Sequence, residues 1–105
     1  MKLNEYQELA TRTADEHENE ILNYALGLNG EAGEVADIIK KVEFHRHIYT
    51  KDDIKKELGD VLWYVSQIAR LSGITLEDVA KGNIDKLKKR YPTGFNTHDS
   101  INRGD

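Results

Sequence analysis

The 105-residue chain contains no cysteine and only one proline. The lack of cysteine excludes disulfides, thiolate metal sites and cysteine nucleophiles, and it is compatible with a reducing compartment. No apolar run approaches the roughly 20 residues that a membrane-spanning helix needs, and the N-terminus shows no signal-peptide pattern. We therefore expect a cytoplasmic protein that has no membrane partner.

The chain has fewer basic than acidic residues. Fifteen lysines and arginines stand against nineteen acidic residues, which gives a net charge of −4, and no long basic run occurs. A nucleic-acid polymer is therefore not the expected partner. Apolar residues make up 38% and charged residues 32% of the chain. This composition fits one domain over residues 1–105 whose modest core is completed by self-association.

The spacing of apolar residues predicts helices and no strands. We expect four helices at about 4–14, 19–42, 51–72 and 76–91, followed by an irregular tail over 92–105. The second helix carries an apolar stripe at alternating steps of four and three, and such a stripe is typical of a helix packed lengthwise on a partner. Its members are Ile21, Ala25, Leu28, Ala32, Val35, Ile39 and Val42. The prediction is an all-α, four-helix bundle-like domain completed by oligomerisation.

Several helix ends are also visible in the sequence. Three pairs fit the capping-box pattern, namely Asn4 with Gln7, Thr50 with Asp53, and Thr75 with Asp78. Gly73 is placed to end the third helix in a left-handed conformation with Ile74 packing back, and Pro92 stops the fourth. The polar, acidic residues 15–20 are predicted to connect the first two helices.

Two pairs of carboxylates dominate the candidate chemistry. Glu31 with Glu34 and Glu57 with Asp60 are each three residues apart within a predicted helix, so both acids of a pair lie on one helix face. Each pair lies in a row of residues on one helix face that also contains apolar and aromatic side chains. The row of the second helix is Tyr24, Gly27, Glu31, Glu34, Ile38 and Lys41. The row of the third helix is Asp53, Glu57, Asp60, Tyr64, Gln67 and Leu71. A single pair of this kind is usually a solvated surface feature. Two pairs on neighbouring helices instead predict a cleft that binds a divalent cation.

Other candidate residues have simpler explanations. Asp37 and Asp53 are possible further ligands, but surface or capping roles are favoured for both. His45 and His47 form an H-x-H pattern for which a surface role is favoured. Trp63 lies off the acidic row and is predicted to belong to the core or to a subunit interface.

The residues around the acids resemble a known family. The stretches Gly30–Asp37 and Lys55–Tyr64 are similar to the divalent-metal motif of short, single-domain MazG-like nucleoside triphosphate pyrophosphohydrolases, members of the all-α NTP pyrophosphatase superfamily. The similarity continues through Asn83-x-x-Lys86-x-x-x-Arg90-Tyr91-Pro92 and then Phe95, Ser100 and Arg103. It covers roughly residues 4 to 103. Where some relatives carry a further glutamate, this chain has Gly30.

The resemblance implies an enzyme that hydrolyses a nucleoside triphosphate, ribo or deoxy, to the monophosphate and pyrophosphate. It implies Mg²⁺, with Mn²⁺ as a possible substitute, held by Glu31, Glu34, Glu57 and Asp60. Glu31 or Glu34 would be the catalytic base, and the two are not distinguished at this point. The resemblance also implies a homodimer or homotetramer.

Four residues are candidates for substrate binding. Tyr64 follows Asp60 by one turn and is placed to stack on or hydrogen-bond the nucleoside, while Asn83, Lys86 and Arg90 share one face of the fourth helix. By spacing alone that face is an ordinary solvated one, whereas the resemblance favours phosphate contacts. Ser100 and Arg103 either close over phosphates or belong to a frayed terminus, and Asn23 and Tyr24 either face the cleft or serve packing.

Two other classes of function fit the same residues. One is a non-catalytic sensor that binds a cation or a nucleotide without turnover. The other is a helical interaction module whose apolar stripes only dimerise. Replacement of the carboxylates by amides separates these alternatives, because it would abolish catalysis and leave dimerisation intact.

Overall fold

The computed structural model describes residues 1–15 and 19–103, and within these ranges the chain is all-α without a β-strand. Five helices follow one another: α1 (Leu3–Thr11), α2 (Glu20–His45), α3 (Lys51–Leu71), α4 (Leu76–Arg90) and α5 (Thr97–Ile101). The first four confirm the four predicted helices, and α5 is a short addition within the predicted irregular tail. The part of the predicted acidic connection at residues 16–18 lies outside the described residues.

Local capping explains where α3 begins. Thr50 Oγ1 accepts a 3.2 Å hydrogen bond from Asp53 N, and the Asp53 carboxylate accepts a 2.9 Å bond from Thr50 N, as the capping-box pattern predicts. Because these bonds favour the ionised form, they lower the pKa of Asp53. Thr75 Oγ1 likewise accepts from the backbone of Asp78 at 3.1 Å at the start of α4.

The end of α3 also follows the prediction. Gly73 adopts a left-handed conformation with φ of 75°, which glycine tolerates without strain. Ile74 N donates a 3.0 Å hydrogen bond back to Ala69 O, and this bond closes the helix terminus.

The prediction for the first helix end was wrong. Helix α1 is preceded by Lys2, whose side chain makes no capping hydrogen bond, and Asn4 and Gln7 reach other helices instead. Asn4 bonds the backbone and side chain of Glu77, whereas Gln7 bonds the turn before α4. These two polar side chains therefore join α1 to α4 across more than 60 residues of sequence.

Helices α2 and α3 form an antiparallel hairpin, and α1 and α4 pack on α3 and on each other. Helix α2 runs three residues beyond the predicted end, because Arg46 adopts a left-handed conformation and His47 N bonds Lys41 O at 3.0 Å. The face that α2 turns to α3 is the row containing Tyr24, Gly27 and Glu31. The apolar stripe beside that row stays largely open: Ile21 is 47% and Ile39 is 41% exposed.

The tightest packing lies where α1, α3 and the start of α4 meet. Ala10, Ala69 and Leu76 are buried there, together with the polar residues Ser66 and Gln67. A network of hydrogen bonds satisfies the buried Gln67 amide: its Nε2 donates to Thr11 Oγ1 and its Oε1 accepts from Arg70 Nε. Among the described residues, no helix has the length and apolar character needed to cross a membrane.

Candidate active site

Three carboxylates converge in the cleft between α2 and α3. Glu31 from α2 and Glu57 and Asp60 from α3 each offer an oxygen, and these oxygens all lie within 4.8 Å of one another. The antiparallel hairpin produces this arrangement, since it brings the acidic row of α2 opposite the acidic row of α3. Such a set of hard oxygen donors fits a hard divalent cation such as Mg²⁺.

The charges in the cleft act on Glu31. Partial desolvation, followed by the negative charges of Asp60, Glu57 and Glu34, raises the pKa of the Glu31 carboxyl above its ordinary value. A hydrogen bond between the Glu31 and Glu57 carboxyl groups acts in the same direction. The neighbouring carboxylates therefore repel the charge of Glu31, and a cation bound among them would offset that repulsion.

The other acids of the sequence have different surroundings. Glu34 is exposed and is not a member of the three-carboxylate group, although its charge reaches Glu31. Asp37 pairs with Lys41 at 2.8 Å on the α2 surface, and the hydrogen bond and charge of that lysine lower the pKa of Asp37. Asp53 caps α3. Asp37 therefore makes a surface ion pair and Asp53 a helix cap, which are the roles that the sequence favoured for them.

A cavity of about 330 Å³ opens directly beside the carboxylates. Its walls are formed by Thr13, Glu31, Asp60, Trp63 and Tyr64. Tyr64 lies where the sequence placed it, next to Asp60. Thr13 and Trp63 were not predicted here: Trp63 was expected in the core or at an interface, and no motif marks Thr13.

Hydrogen bonds hold Trp63 in the cavity wall. Its indole Nε1 donates to Ala10 O at 3.0 Å and to Thr13 Oγ1 at 2.9 Å, which ties α3 to the end of α1. Its ring makes edge contacts with Tyr24 and Tyr64, with centroids 5.2 and 5.1 Å away. These contacts create a rigid aromatic wall about one helical turn from the acids.

Comparison of the sequence with known protein families and relatives identifies the family of this chain. Residues 18–95 match the model of the MazG nucleotide pyrophosphohydrolase domain. The chain belongs to this family. It is also 39% identical over 82 residues to the Gene 37 protein of Mycobacterium phage L5, a match that covers 74% of this chain and 72% of the phage protein.

A second relative and the solved structures complete the comparison. The uncharacterized protein YvdC of Bacillus subtilis (strain 168) is 33% identical over 70 residues, which cover 58% of this chain and 66% of that protein. No solved structure matches the chain significantly. The match to the family model includes all four motif acids and the whole α2–α3 hairpin.

The MazG domain has a second cavity on the other side of Glu57, towards the loop at residues 46–50. It has a volume of about 270 Å³ and is lined by Ile38, Lys41, Val42, His47, Ile48, Tyr49, Asp53, Lys56 and Glu57. His47 makes a ring contact with His45 at 6.3 Å. Among the described residues, histidine belongs to no group suited to a metal.

The predicted phosphate-binding face of α4 lies apart from the acids of its own chain. Asn83 and Lys86 are exposed and Arg90 is half-buried, and no α4 residue lines the acid cavity within the described ranges. Near its start, α4 is anchored by Leu76, which is 4% exposed. Asn23 is exposed, and Ser100 lies in α5, where its backbone N–H bonds Asn96 O.

Proposed function

We propose that this chain is a Mg²⁺-dependent pyrophosphohydrolase that converts a nucleoside triphosphate, ribo or deoxy, to the monophosphate and pyrophosphate. The observation that carries the proposal is the convergence of Glu31, Glu57 and Asp60 within 4.8 Å beside an open cavity. Membership of the MazG family supports the substrate class and the reaction. Glu31, Glu57 and Asp60 would hold Mg²⁺, or Mn²⁺ in its place, and the ion would supply positive charge that stabilises the phosphate groups during the reaction.

Glu31, Glu57 and Asp60 would hold the metal, and Glu34 would act beside it. Because Glu34 is close enough to influence Glu31 electrostatically but stays outside the three-carboxylate group, we assign it the role of accepting the proton from the attacking water. In this assignment Glu31 is a metal ligand, and the metal would offset the repulsion from Asp60, Glu57 and Glu34 that adds to desolvation in raising the pKa of Glu31.

The nucleoside would lie against the aromatic wall. Tyr64 and Trp63 offer ring surface next to Asp60, and Thr13 borders the same cavity. A base placed there keeps its phosphates within reach of the acids. The indole N–H of Trp63 already bonds Ala10 and Thr13, so that this side chain contributes packing surface, and hydrogen bonds to the nucleoside would come from Tyr64.

We further propose that the enzyme works as a homodimer or a larger homo-oligomer. The chain has an accessible surface of 8180 Å², whereas a folded monomer of its mass exposes about 6,000 Å². Its radius of gyration is 16.7 Å, against about 13 Å for a compact domain of this length. An excess of about 2,200 Å² per chain corresponds to the area that large obligate homo-oligomer interfaces bury.

The open stripe of α2 is the proposed interface. It continues into an apolar groove lined by Leu28, Val65, Ile68, Ala69, Ser72, Ile74 and Val79. A second copy seated on this face would complete a helix bundle. It would also allow Asn83, Lys86 and Arg90 of one copy to approach phosphates held by the acids of the other.

A panel of nucleoside triphosphates tests the reaction. Each is incubated with and without Mg²⁺, and monophosphate, pyrophosphate and orthophosphate are measured separately. The expected result is Mg²⁺-dependent release of monophosphate and pyrophosphate in equal amounts. Orthophosphate with a diphosphate product would contradict the proposed reaction, and binding without any turnover would identify a sensor.

A further inference from the structure

Gly27 of α2 lies directly against the ring of Tyr64. A Cβ atom added to Gly27 would lie 2.5 Å from Tyr64 Cζ and 2.9 Å from Tyr64 Oη, and it would also overlap Cε1. Contacts below 3.0 Å are essentially never seen for real Cβ atoms. The phenol ring can therefore rest on the α2 backbone only because residue 27 has no side chain.

A second glycine of the same helix shows that this contact is particular to Gly27. Glycine is less favourable than alanine inside a helix, so each helical glycine needs a reason. A Cβ atom on Gly33 would meet nothing within 4 Å. Gly33 lies six residues further along, and thus on a different face of α2 from Gly27.

The ring of Tyr64 has little freedom to move except into the cavity. Trp63 packs against it with centroids 5.1 Å apart, and Tyr24 packs against it at 6.0 Å. Both neighbours are fixed: Trp63 by its hydrogen bonds to α1, and Tyr24 by burial and a 3.1 Å bond to Glu20. A ring displaced from α2 would move towards the space beside Asp60.

We propose that Gly27 is a positioning residue that keeps the acid cavity open to the substrate. It lets Tyr64 lie against α2, and in that position the phenol forms a wall of the cavity instead of filling it. The role in substrate binding rests on the proposed function, since it assumes that a nucleoside triphosphate occupies this cavity. The position of the ring itself does not depend on that assumption.

The test compares Gly27→Ala with Gly33→Ala. Both substitutions raise helix propensity in α2, but only the first requires Tyr64 to shift. For the nucleoside triphosphate that the wild type hydrolyses fastest, we expect Gly27→Ala to raise KM by about tenfold and to change kcat by less than about threefold. Gly33→Ala lies within the metal-motif stretch Gly30–Asp37 and therefore serves as the control for folding and ring position, while the Tyr64→Ala background described below is the control for KM.

Two further measurements show whether the effect passes through Tyr64. The near-ultraviolet circular dichroism of the aromatic cluster should change in Gly27→Ala and not in Gly33→Ala. In a Tyr64→Ala background the ring is gone, and adding Gly27→Ala should then leave KM unchanged. Because the double variant lacks the ring that the added Cβ would clash with, it can be measured even if Gly27→Ala alone fails to fold.

The outcomes separate this inference from the proposed function. If the wild type is active and Gly27→Ala has the same KM as the wild type, the inference is overturned and the proposed reaction is not affected. An equal rise in KM in the Tyr64→Ala background would also overturn it. A wild type that hydrolyses none of the nucleoside triphosphates would refute the proposed function and with it the substrate role. In that case the dichroism still decides whether Gly27 positions the ring.

Discussion

The Gln7 side chain accepts a 3.0 Å hydrogen bond from the backbone N–H of Leu76, 69 residues away in the sequence. Its amide nitrogen also donates to Ser66 O at 3.1 Å and to Ile74 O at 3.2 Å. One side chain that is 9% exposed thus bonds three backbone groups, one inside α3, one in the turn that joins α3 to α4 and one at the start of α4.

We expect Gln7→Leu to lower the free energy of unfolding by about 3 kcal/mol, because it leaves the buried N–H of Leu76 and the carbonyl of Ile74 without this partner. Asn4→Ala is the matched control. It removes the analogous bonds to Glu77, but those are exposed and water replaces them, so a loss below about 1 kcal/mol is expected. Urea unfolding monitored by circular dichroism measures both, and equal losses would contradict the argument.

Catalysis should depend on each carboxylate of the cleft. Glu57→Gln and Asp60→Asn retain the shape of the side chain and remove a charged metal ligand, so kcat/KM for pyrophosphate release should fall by about a hundredfold or more. Glu8→Gln, an exposed change on α1, should have no effect. Full activity in both cleft variants would show that the three acids do not hold the catalytic metal.

Desolvation of Glu31 and its repulsion by the neighbouring acids predict a pH dependence of stability without metal. Since the pKa of Glu31 is raised on folding, the stabilisation that it contributes is complete below its unfolded pKa and is lost as the pH rises through its folded pKa. In EDTA, the Tm of the wild type should therefore fall relative to that of Glu31→Gln as the pH rises over this range. The comparison of the two proteins cancels the opposite contributions of Asp37 and Asp53, whose pKa values are lowered in both.

Addition of Mg²⁺ at neutral pH should raise the Tm of the wild type, because the ion binds only the folded state. The rise should be much smaller in Glu31→Gln, and thermal scans of both proteins with EDTA and with Mg²⁺ provide the comparison. A wild-type Tm that is insensitive to Mg²⁺ would argue against a metal site in the cleft.

The open stripe of α2 gives a test of assembly. Ile39 and Leu26 are both exposed on α2, at 41% and 67%, but only Ile39 belongs to the stripe. Ile39→Lys should dissociate the oligomer and Leu26→Lys should not, as measured by sedimentation of the two variants beside the wild type. A monomeric wild type would refute the proposed assembly.

The sequence was informative wherever the structure is determined locally. Thr50 with Asp53, Thr75 and Gly73 act on neighbours within a few residues, and their predicted roles are confirmed. The same pattern at Asn4 and Gln7 was misleading, because tertiary partners on α4 compete for these side chains and take them. A pattern in sequence does not show which partner a polar side chain finds in the fold.

The site was predictable to the extent that it follows from helical rows. Glu31, Glu57 and Asp60 meet because two facing rows carry them. Thr13 enters the cavity through the packing of α1 on α3, and the role of Gly27 appears only when the ring of Tyr64 is placed. Neither the place of Thr13 nor the role of Gly27 could be predicted from the spacing of residues in the sequence.

Trp63 is the only tryptophan of the chain, and it stands in the wall of the cavity beside the acids. Its emission therefore comes from a single known position rather than from an average over the protein. Entry of an ion or a nucleotide would alter the surroundings of this one indole, so the unmodified protein carries its own fluorescent reporter of occupancy. Titrations can thus follow binding separately from turnover and without an attached dye.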